Sequence, residues 1–228
     1  EKALIVLADE YTFRRKNKFD NVSLTSGDER SGKSMFTYAK KKLYESPLYR
    51  DKEKLKEILD TDNWDISTFT NCHSINLDEI CFELNDYKEQ LAKALEGSED
   101  IFTLDEAGVG LSSLRWYSPE QVNLYIEFQV IGKKKITTDL ILPHKNDLNN
   151  RFRDRRVHFW NYVTTVRDNT NHLINRGFVE VREALSDKWE MNIFWKPFIV
   201  CKFPDLSDED DWKKYEVKKD KFISLIAE

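Results

Sequence analysis

The chain has 228 residues, of which 40% are apolar and 13% aromatic, with only seven glycines and five prolines. This length and composition suffice for one large α/β domain and exclude a disordered chain or a fibrous repeat. The net charge of -5 excludes a general attraction to nucleic acid, so polyanion binding requires a local basic patch or a ring of subunits.

The cysteines and the apolar runs indicate in which cellular compartment the protein is expected. Cys72, Cys81 and Cys201 are odd in number and show no CxxC spacing, which predicts reduced thiols in a cytoplasmic protein, or in the host cytoplasm if the protein is viral. His73 follows Cys72, but no second closely spaced ligand pair accompanies them, so no zinc site is predicted. The apolar run at residues 3–8 is far too short to cross a bilayer, and no membrane segment is predicted.

The N-terminal part of the chain predicts a helix, a strand and a second helix. Residues 1–18 begin apolar and become basic, as in an amphipathic helix that leads into the domain. Residues 21–25 alternate apolar with polar side chains and predict a strand. Residues 33–45 predict a helix, whose apolar face carries Met35, Phe36, Ala39 and Leu43.

The middle of the chain predicts alternating helices and strands, which is typical of a mostly parallel sheet flanked by helices. Helices are expected over residues 50–62, over residues 77–95 with Gly97 as the C-cap, and from Pro119 to about residue 131. Strands are expected over residues 65–72, 101–104, 137–142 and 157–166.

The pattern changes near residue 177. Two extended runs, residues 178–183 and 189–203, predict an antiparallel hairpin appended to the sheet at about residues 176–203. The remaining residues are highly charged and are expected to be peripheral. The predicted organisation is a helical lead-in at residues 1–18, an α/β domain at residues 19–205 and a charged C-terminal tail at residues 206–228.

Residues 27–34 match the phosphate-loop pattern G-x-x-x-x-G-K-[ST] and lie between a predicted strand and a predicted helix, as the motif requires. Its glycines let backbone N–H groups point at a phosphate at the helix N-terminus. Lys33 is predicted to reach the β- and γ-phosphates of ATP, and Ser34 to bind Mg²⁺. Asp28 and Glu29 are expected to point away from the polyphosphate. The predicted nucleotide-binding residues of this segment are Gly27, Asp28, Glu29, Arg30, Ser31, Gly32, Lys33, Ser34 and Met35.

The predicted strand at residues 101–104 ends in two acids, Asp105 and Glu106, which is the Walker B pattern. Asp105 is predicted to hold Mg²⁺, directly or through water, and Glu106 to polarise the attacking water. The segment also fits D-x-x-G, the GTPase form of the motif, but the N-K-x-D sequence that recognises guanine is absent. A GTPase and a small-molecule kinase remain alternatives, although paired acids favour hydrolysis over transfer.

Residues 101–111, followed by Arg115 and Trp116, resemble the Walker B region of the FtsK/HerA superfamily, especially its zonula-occludens-toxin-like and viral packaging members. The resemblance spans about residues 20–166. It implies a RecA-like P-loop fold in which hydrolysis of ATP with Mg²⁺ drives translocation or packaging of DNA by a homo-oligomeric ring, expected to be a hexamer. An assembly or export ATPase that DNA does not stimulate is the alternative.

Three features outside the two motifs have more than one interpretation. The arginines within residues 151–156 form a solvated face, an arginine finger that reaches a neighbour's nucleotide, or a contact to DNA. Arg153 and Arg115 are the finger candidates. Family members commonly place a polar sensor at the end of the strand after Walker B, where this chain has Leu142, Pro143 and His144. His144 is therefore either a γ-phosphate sensor or a surface residue. The lysines at residues 133–135 face DNA or complement the dipole of a helix C-terminus.

Overall fold

The computed structural model describes residues 2–17, 19–61, 73–96, 98, 100–108, 128, 132–167, 170, 173–186 and 193–226. Within these residues the strands are β1 (Asn21–Gly27), β2 (Ile80–Cys81), β3 (Ile101–Leu104), β4 (Thr137–Ile141), β5 (Phe159–Arg167), β6 (Leu173–Ser186) and β7 (Ile193–Lys202). The helices are α1 (Lys2–Lys16), α2 (Lys33–Glu45), α3 (Pro47–Arg50), α4 (Lys52–Leu59), α5 (Leu84–Lys93), α6 (Asn150–Arg156) and α7 (Asp210–Ile226).

The strands form one sheet in the order β2-β3-β4-β1-β5-β6-β7. The sheet is parallel from β2 to β5 and antiparallel from β5 to β7. Leu24 of β1 lies between Leu140 and Trp160 on the two neighbouring strands. β1, β3 and β4 are buried almost throughout, as expected for parallel strands covered on both faces. The predicted α/β architecture, a mostly parallel sheet flanked by helices with appended antiparallel strands, is confirmed.

Two predicted helices differ locally from the structure. The segment at residues 77–95 begins with a 3₁₀ turn (Leu77–Glu79) and β2, and α5 starts only at Leu84. Pairing of β2 with β3 overrides the helical spacing of the apolar residues there. The segment at residues 50–62 contains the end of α3 and then α4, because the Asp51 side chain accepts a hydrogen bond from the Lys54 N–H and caps a new helix.

The antiparallel part of the sheet is larger than the predicted hairpin. β6 pairs with β5 as well as with β7, so the last three strands form one meander that continues the sheet. The predicted strand at residues 65–72 and Gly97 lie outside the described residues, as does most of the helix predicted from Pro119 to residue 131.

Helix α1 is part of the core. Leu4, Leu7, Ala8 and Tyr11 are fully buried in the apolar cluster that also contains residues of α2 and β5–β7. The N-terminal segment therefore covers one face of the sheet in addition to leading into β1. None of the described helices has the length and apolar composition needed to span a membrane.

A buried ion pair joins α2 to the sheet. The Lys40 Nζ lies 2.7 Å from Asp139 Oδ1 on β4, and it also donates to Ser23 on β1 and to Tyr11 on α1. Burial by itself lowers the pKa of Lys40, but Asp139 and the Tyr11 hydroxyl outweigh burial, so the pKa is raised above its ordinary value. Lys40 therefore stays charged and connects α2 to α1, β1 and β4.

Lys41, the next residue, makes a second buried connection. Its Nζ lies 2.6 Å from Glu45 Oε1 and 2.5 Å from Glu79 Oε2, and it donates to the Ile101 carbonyl at the start of β3. Glu45 in turn accepts a hydrogen bond from the Ile101 N–H at 2.7 Å. Both the N–H and the carbonyl of Ile101 are therefore used, and these polar contacts hold the last turns of α2 against the start of β3.

Lys40→Met is expected to lower the free energy of unfolding by about 3–5 kcal/mol, because it leaves the Asp139 carboxylate buried without its partner. Urea unfolding measures the change. The double variant Lys40→Met/Asp139→Leu removes both charges and is expected to recover most of the loss. Lys93→Met, at an exposed pair with Glu89, serves as the control and should change stability by less than about 1 kcal/mol. A Lys40→Met effect as small as that of Lys93→Met would contradict a structural role for the buried pair.

Candidate phosphate and metal site

The loop between β1 and α2 is shaped by glycines at two positions. Gly27 has a φ of 153° and Gly32 a φ of 95°, in a region that side chains rarely adopt. A Cβ on Gly27 would lie 2.0 Å from the carbonyl oxygen of Val163 on β5. Gly32 is the N-cap of α2 in the left-handed conformation. The loop therefore packs directly on the neighbouring strand and turns sharply into the helix.

The charged side chains inside the loop are exposed, but Glu29 and Arg30 also border the cavity beside the loop, so the expectation that Glu29 points away from this space is not met. Asp28, Glu29 and Arg30 are exposed, whereas Ser31 is buried. The Tyr162 hydroxyl on β5 donates to Asp28 Oδ1 at 3.3 Å, which holds this carboxylate toward the β5 side of the loop. Tyr162 therefore gives the Asp28 charge a partner of its own.

Lys33 folds back over the loop. Its Nζ donates to the carbonyl oxygens of Gly27 at 3.1 Å and Asp28 at 2.8 Å. Burial lowers the pKa of Lys33, and the nearby Glu106 carboxylate opposes that shift. The ammonium thus lies above the curled backbone, where the phosphate-loop pattern expects it.

The two acids follow β3 directly. Asp105 is buried, and its Oδ2 accepts a hydrogen bond from Ser34 Oγ at 3.1 Å. Its Oδ1 accepts the N–H of Glu106 at 2.9 Å. Glu106 has a φ of 59°, an uncommon conformation for a residue with a side chain. Such backbone strain is typical of functional sites.

The side chains of Ser34, Asp105 and Glu106 converge on one cation. This cation is the ammonium of Lys219 on α7, whose Nζ lies 3.0 Å from Asp105 Oδ2, 3.1 Å from Glu106 Oε1 and 3.3 Å from Ser34 Oγ. Burial opposes the charged form of Lys219, but Asp105 and Glu106 outweigh it and raise its pKa. Two carboxylates and a hydroxyl are the hard oxygen ligands that suit Mg²⁺, so the donor set fits this metal.

A cavity of about 970 Å³ lies between the loop, the ends of β3 and β4, and α7. This volume is at the upper end of the range for small-molecule sites. The lining includes Glu29, Arg30, Gly32, Lys33, Ser34, Met35, Asp105, Glu106, Leu142, Pro143, Tyr215 and Lys219. Most of the predicted loop residues and both acids therefore border one space.

The predicted peripheral tail forms one wall of this cavity, which corrects the expectation from its charge. Trp212 and Tyr215 of α7 are buried, and the Tyr215 hydroxyl donates to Asp105 Oδ2. Trp212 packs on the ring of Tyr38, with 5.2 Å between the centroids. Trp212, Tyr215, Lys219 and Phe222 recur at helical spacing, a signal that the abundance of charged residues in the tail obscured.

The arginine cluster lies apart from the cavity lining. The Arg153 guanidinium pairs with Asp154 at 2.8 Å and donates to Asn146 Oδ1 at 3.0 Å. Arg156 pairs with Asp20 at 2.6 Å and also donates to the Phe128 carbonyl, which gives it a structural role. The second finger candidate, Arg115, lies outside the described residues, as does the side chain of Arg151.

His144 caps a 3₁₀ turn (Lys145–Asp147). Its Nδ1 accepts the Asn146 N–H at 3.2 Å, and its own N–H donates to Asp147 Oδ2 at 3.0 Å. The side chain is exposed. The two residues before His144, Leu142 and Pro143, line the cavity, whereas His144 is absent from the described lining. The geometry favours the surface interpretation of His144.

Lys134 and Lys135 make contacts within the fold. Lys134 donates to three carbonyl oxygens at and just beyond the C-terminus of α5 and so complements the dipole of that helix. Lys135 pairs with Glu96 at 2.8 Å.

Cys81 and Cys201 are buried free thiols, and burial raises their pKa values to about 11 and about 12. Cys72 lies outside the described residues.

No protein-family model and no curated protein sequence matches the chain. Among solved structures, the N-terminal domain of zonular occludens toxin from Neisseria meningitidis is similar over 81% of this chain and 96% of its own, with 14% identity and a TM-score of 0.42. The genome packaging NTPase B204 from Sulfolobus turreted icosahedral virus 2, solved in complex with ATP-gammaS, is similar over 80% of this chain and 100% of its own. For that pair the identity is 12% and the TM-score 0.40.

Gly27→Ala is expected to destabilise the protein more than Gly32→Ala. The new Cβ at Gly27 would overlap a backbone oxygen of β5, and relieving such overpacking costs about 3 kcal/mol. At Gly32 the Cβ would lie 3.3 Å from the Phe203 ring and 4.0 Å from the Met35 Cβ, so the cost is mainly that of a left-handed residue, about 1–2 kcal/mol. Thermal and urea unfolding of the two variants provide the comparison. Equal losses would show that the loop does not need its close approach to β5.

Proposed function

We propose that the chain is a Mg²⁺-dependent ATPase. The proposal rests on one observation: Ser34 Oγ, in the first turn of α2, lies 3.1 Å from Asp105 Oδ2, just after β3. These are the residues to which the two sequence motifs assign metal binding. Their contact brings the phosphate loop and the acids to the same end of the sheet and into the same cavity.

The loop residues account for binding of the triphosphate. The N–H groups around Gly32 and Lys33 lie at the N-terminus of α2, whose dipole favours an anion. Lys33 would exchange its contacts with the Gly27 and Asp28 carbonyls for the β- and γ-phosphate oxygens. Met35, in the first turn of the helix, borders the same cavity and supplies apolar surface.

The acids account for hydrolysis. Ser34 and Asp105 would hold Mg²⁺, which when bound neutralises charge on the phosphates. Glu106 lies beside Asp105 with its side chain in the cavity, and it would orient the attacking water and accept its proton. Asp105 is buried and Glu106 is partly exposed. These different environments suit a metal ligand, Asp105, and a base, Glu106.

The biological use that we propose is DNA translocation or packaging by a homo-oligomeric ring. It rests on the resemblance of residues 101–111 to FtsK/HerA proteins and on the position of the arginines. Within the described residues, Arg30 is the single arginine in the lining of the cavity. A finger such as Arg153 would therefore act on the nucleotide of a neighbouring subunit, which requires assembly.

Lys33→Ala and Glu106→Gln are expected to separate binding from hydrolysis. Lys33→Ala removes the charge that contacts the phosphates and should weaken ATP binding and abolish turnover. Glu106→Gln keeps the size of the side chain but removes the base, so it should bind Mg²⁺–ATP normally and hydrolyse it at least about 100-fold more slowly.

Titration with a fluorescent ATP analogue and a phosphate-release assay, each repeated with the corresponding guanine nucleotide, measure the two steps. Glu89→Gln, at an exposed position on α5, is the matched control for Glu106→Gln. Wild-type turnover in Lys33→Ala would end the P-loop proposal. Parallel loss of binding and turnover in Glu106→Gln would make Glu106 a metal ligand or a structural residue.

A ring motor is expected to hydrolyse ATP faster per subunit as protein concentration rises and when DNA is added. The test compares rates over a concentration series without DNA, with single-stranded DNA and with double-stranded DNA. Arg153→Ala should lose most turnover yet bind ATP, because a finger acts mainly in the transition state.

Mixing Arg153→Ala with Glu106→Gln should restore part of the activity, because a mixed interface can join an intact acid to an intact arginine. Turnover that depends neither on concentration nor on DNA would instead identify a monomeric or assembly-type ATPase.

A further inference from the structure

Helix α7 places a positive charge on the oxygen atoms assigned to Mg²⁺. We propose that α7 is an inhibitory lid, in which Lys219 occupies the metal position and must withdraw before the Mg²⁺–nucleotide complex can bind. The inference rests on the proposed ATPase function, because it concerns Ser34 and Asp105, which would hold the metal, and Glu106, which would orient the water. It adds a competition between a segment of the chain and the metal.

The first argument is that the two cations need the same ligands. Lys219 Nζ lies within 3.3 Å of Ser34 Oγ, Asp105 Oδ2 and Glu106 Oε1. A metal held by Ser34 and Asp105 at about 2.0–2.1 Å would use the same lone pairs. Both cations would then lie within a few ångströms of each other, where like charges repel strongly in a partly buried site. Lys219 and the metal are therefore alternatives.

The second argument is that α7 also uses the remaining capacity of one oxygen of Asp105, Oδ2. The Tyr215 hydroxyl donates to the same Oδ2 that accepts from Ser34 and Lys219. This oxygen thus has three donors, two of them from α7. Metal binding at Asp105 Oδ2 requires that at least one of the α7 donors leave.

The third argument concerns how α7 is attached. Its N-terminal turn is held by contacts of Trp212 with Tyr38 and of Asp211 with Ser74, whose hydroxyl donates to the carboxylate at 2.7 Å. The C-terminal turn is mostly solvent-exposed. The exposed fractions there are 47% for Ile223, 70% for Leu225 and 54% for Ile226. Lys218 donates to the Leu77 and Ile80 carbonyls, and the Phe222 ring stacks on Phe82. Release of the C-terminal half of α7 would break these contacts and those of Lys219, while the start of the helix stays anchored.

Mn²⁺ titration of the nucleotide-free protein, followed by electron paramagnetic resonance, tests the competition without catalysis. Lys219→Met is expected to bind Mn²⁺ about tenfold or more tightly than the wild type, as for a site that the lid closes in about nine molecules of ten. Tyr215→Phe removes the second α7 donor and should also bind Mn²⁺ more tightly. Lys221→Met, at an exposed position on the same helix, should match the wild type. Unchanged or weaker Mn²⁺ binding in both Lys219→Met and Tyr215→Phe would overturn the lid.

Hydrogen–deuterium exchange of the wild type tests the movement. A saturating Mg²⁺ complex of a non-hydrolysable ATP analogue should speed exchange in residues 216–226 and leave residues 210–214 unchanged. Slower exchange in residues 216–226 would mean that α7 closes on the nucleotide and would overturn the inference.

The failure of the lid and the failure of the proposed function give different results. Tighter Mn²⁺ binding by Lys219→Met in a protein that hydrolyses no ATP would support the lid and refute the ATPase. The opposite result would be hydrolysis by the wild type, with Mn²⁺ affinity unchanged in the α7 variants and exchange in α7 unchanged by the nucleotide analogue. It would support the ATPase and refute the lid.

Discussion

The buried ion pair between Lys40 and Asp139 determines where α2 lies on the sheet, and the site depends on that position. Both charges are removed from water, so α2 cannot shift along β4 without leaving a carboxylate or an ammonium unpaired. A helix of this length is rigid, and Ser34 lies six residues before Lys40 on it. Holding Lys40 therefore also positions Ser34, which meets Asp105 at the end of β3.

The phosphate loop itself is constrained from the opposite side. Gly27 lies against the backbone of Val163, so β1 and β5 approach each other at the point where the chain leaves the sheet. The loop must then turn within five residues into a helix whose other end is anchored by Lys40 and Lys41. The backbone is strained where these constraints meet, at the positive φ of Arg30 and of Glu106, whereas Gly32 adopts its positive φ without a steric cost. The close packing of β1 against β5 therefore also determines the geometry of the site.

The same run of lysines connects the site to the C-terminal helix. Lys42 follows Lys40 and Lys41 and pairs with Glu209, immediately before α7. Consecutive residues of α2 therefore reach the sheet, the start of β3 and the start of α7. Trp212 and Tyr215 continue this contact along α7 as far as the acids.

Local spacing in the sequence determined the phosphate loop, the acid pair after β3 and the alternation of strands and helices that defines the fold class. These features depend on backbone geometry over a few residues, so neighbouring residues are enough to predict them. The sequence did not predict that the lysines at residues 40–42 are buried, because a run of charges is usually solvated and Asp139 lies 99 residues away from Lys40. Nor did it predict that Lys219 meets Asp105 across 114 residues. Only the tertiary structure decided these contacts, since the burial of a charge depends on a partner that folding brings from a distant part of the chain.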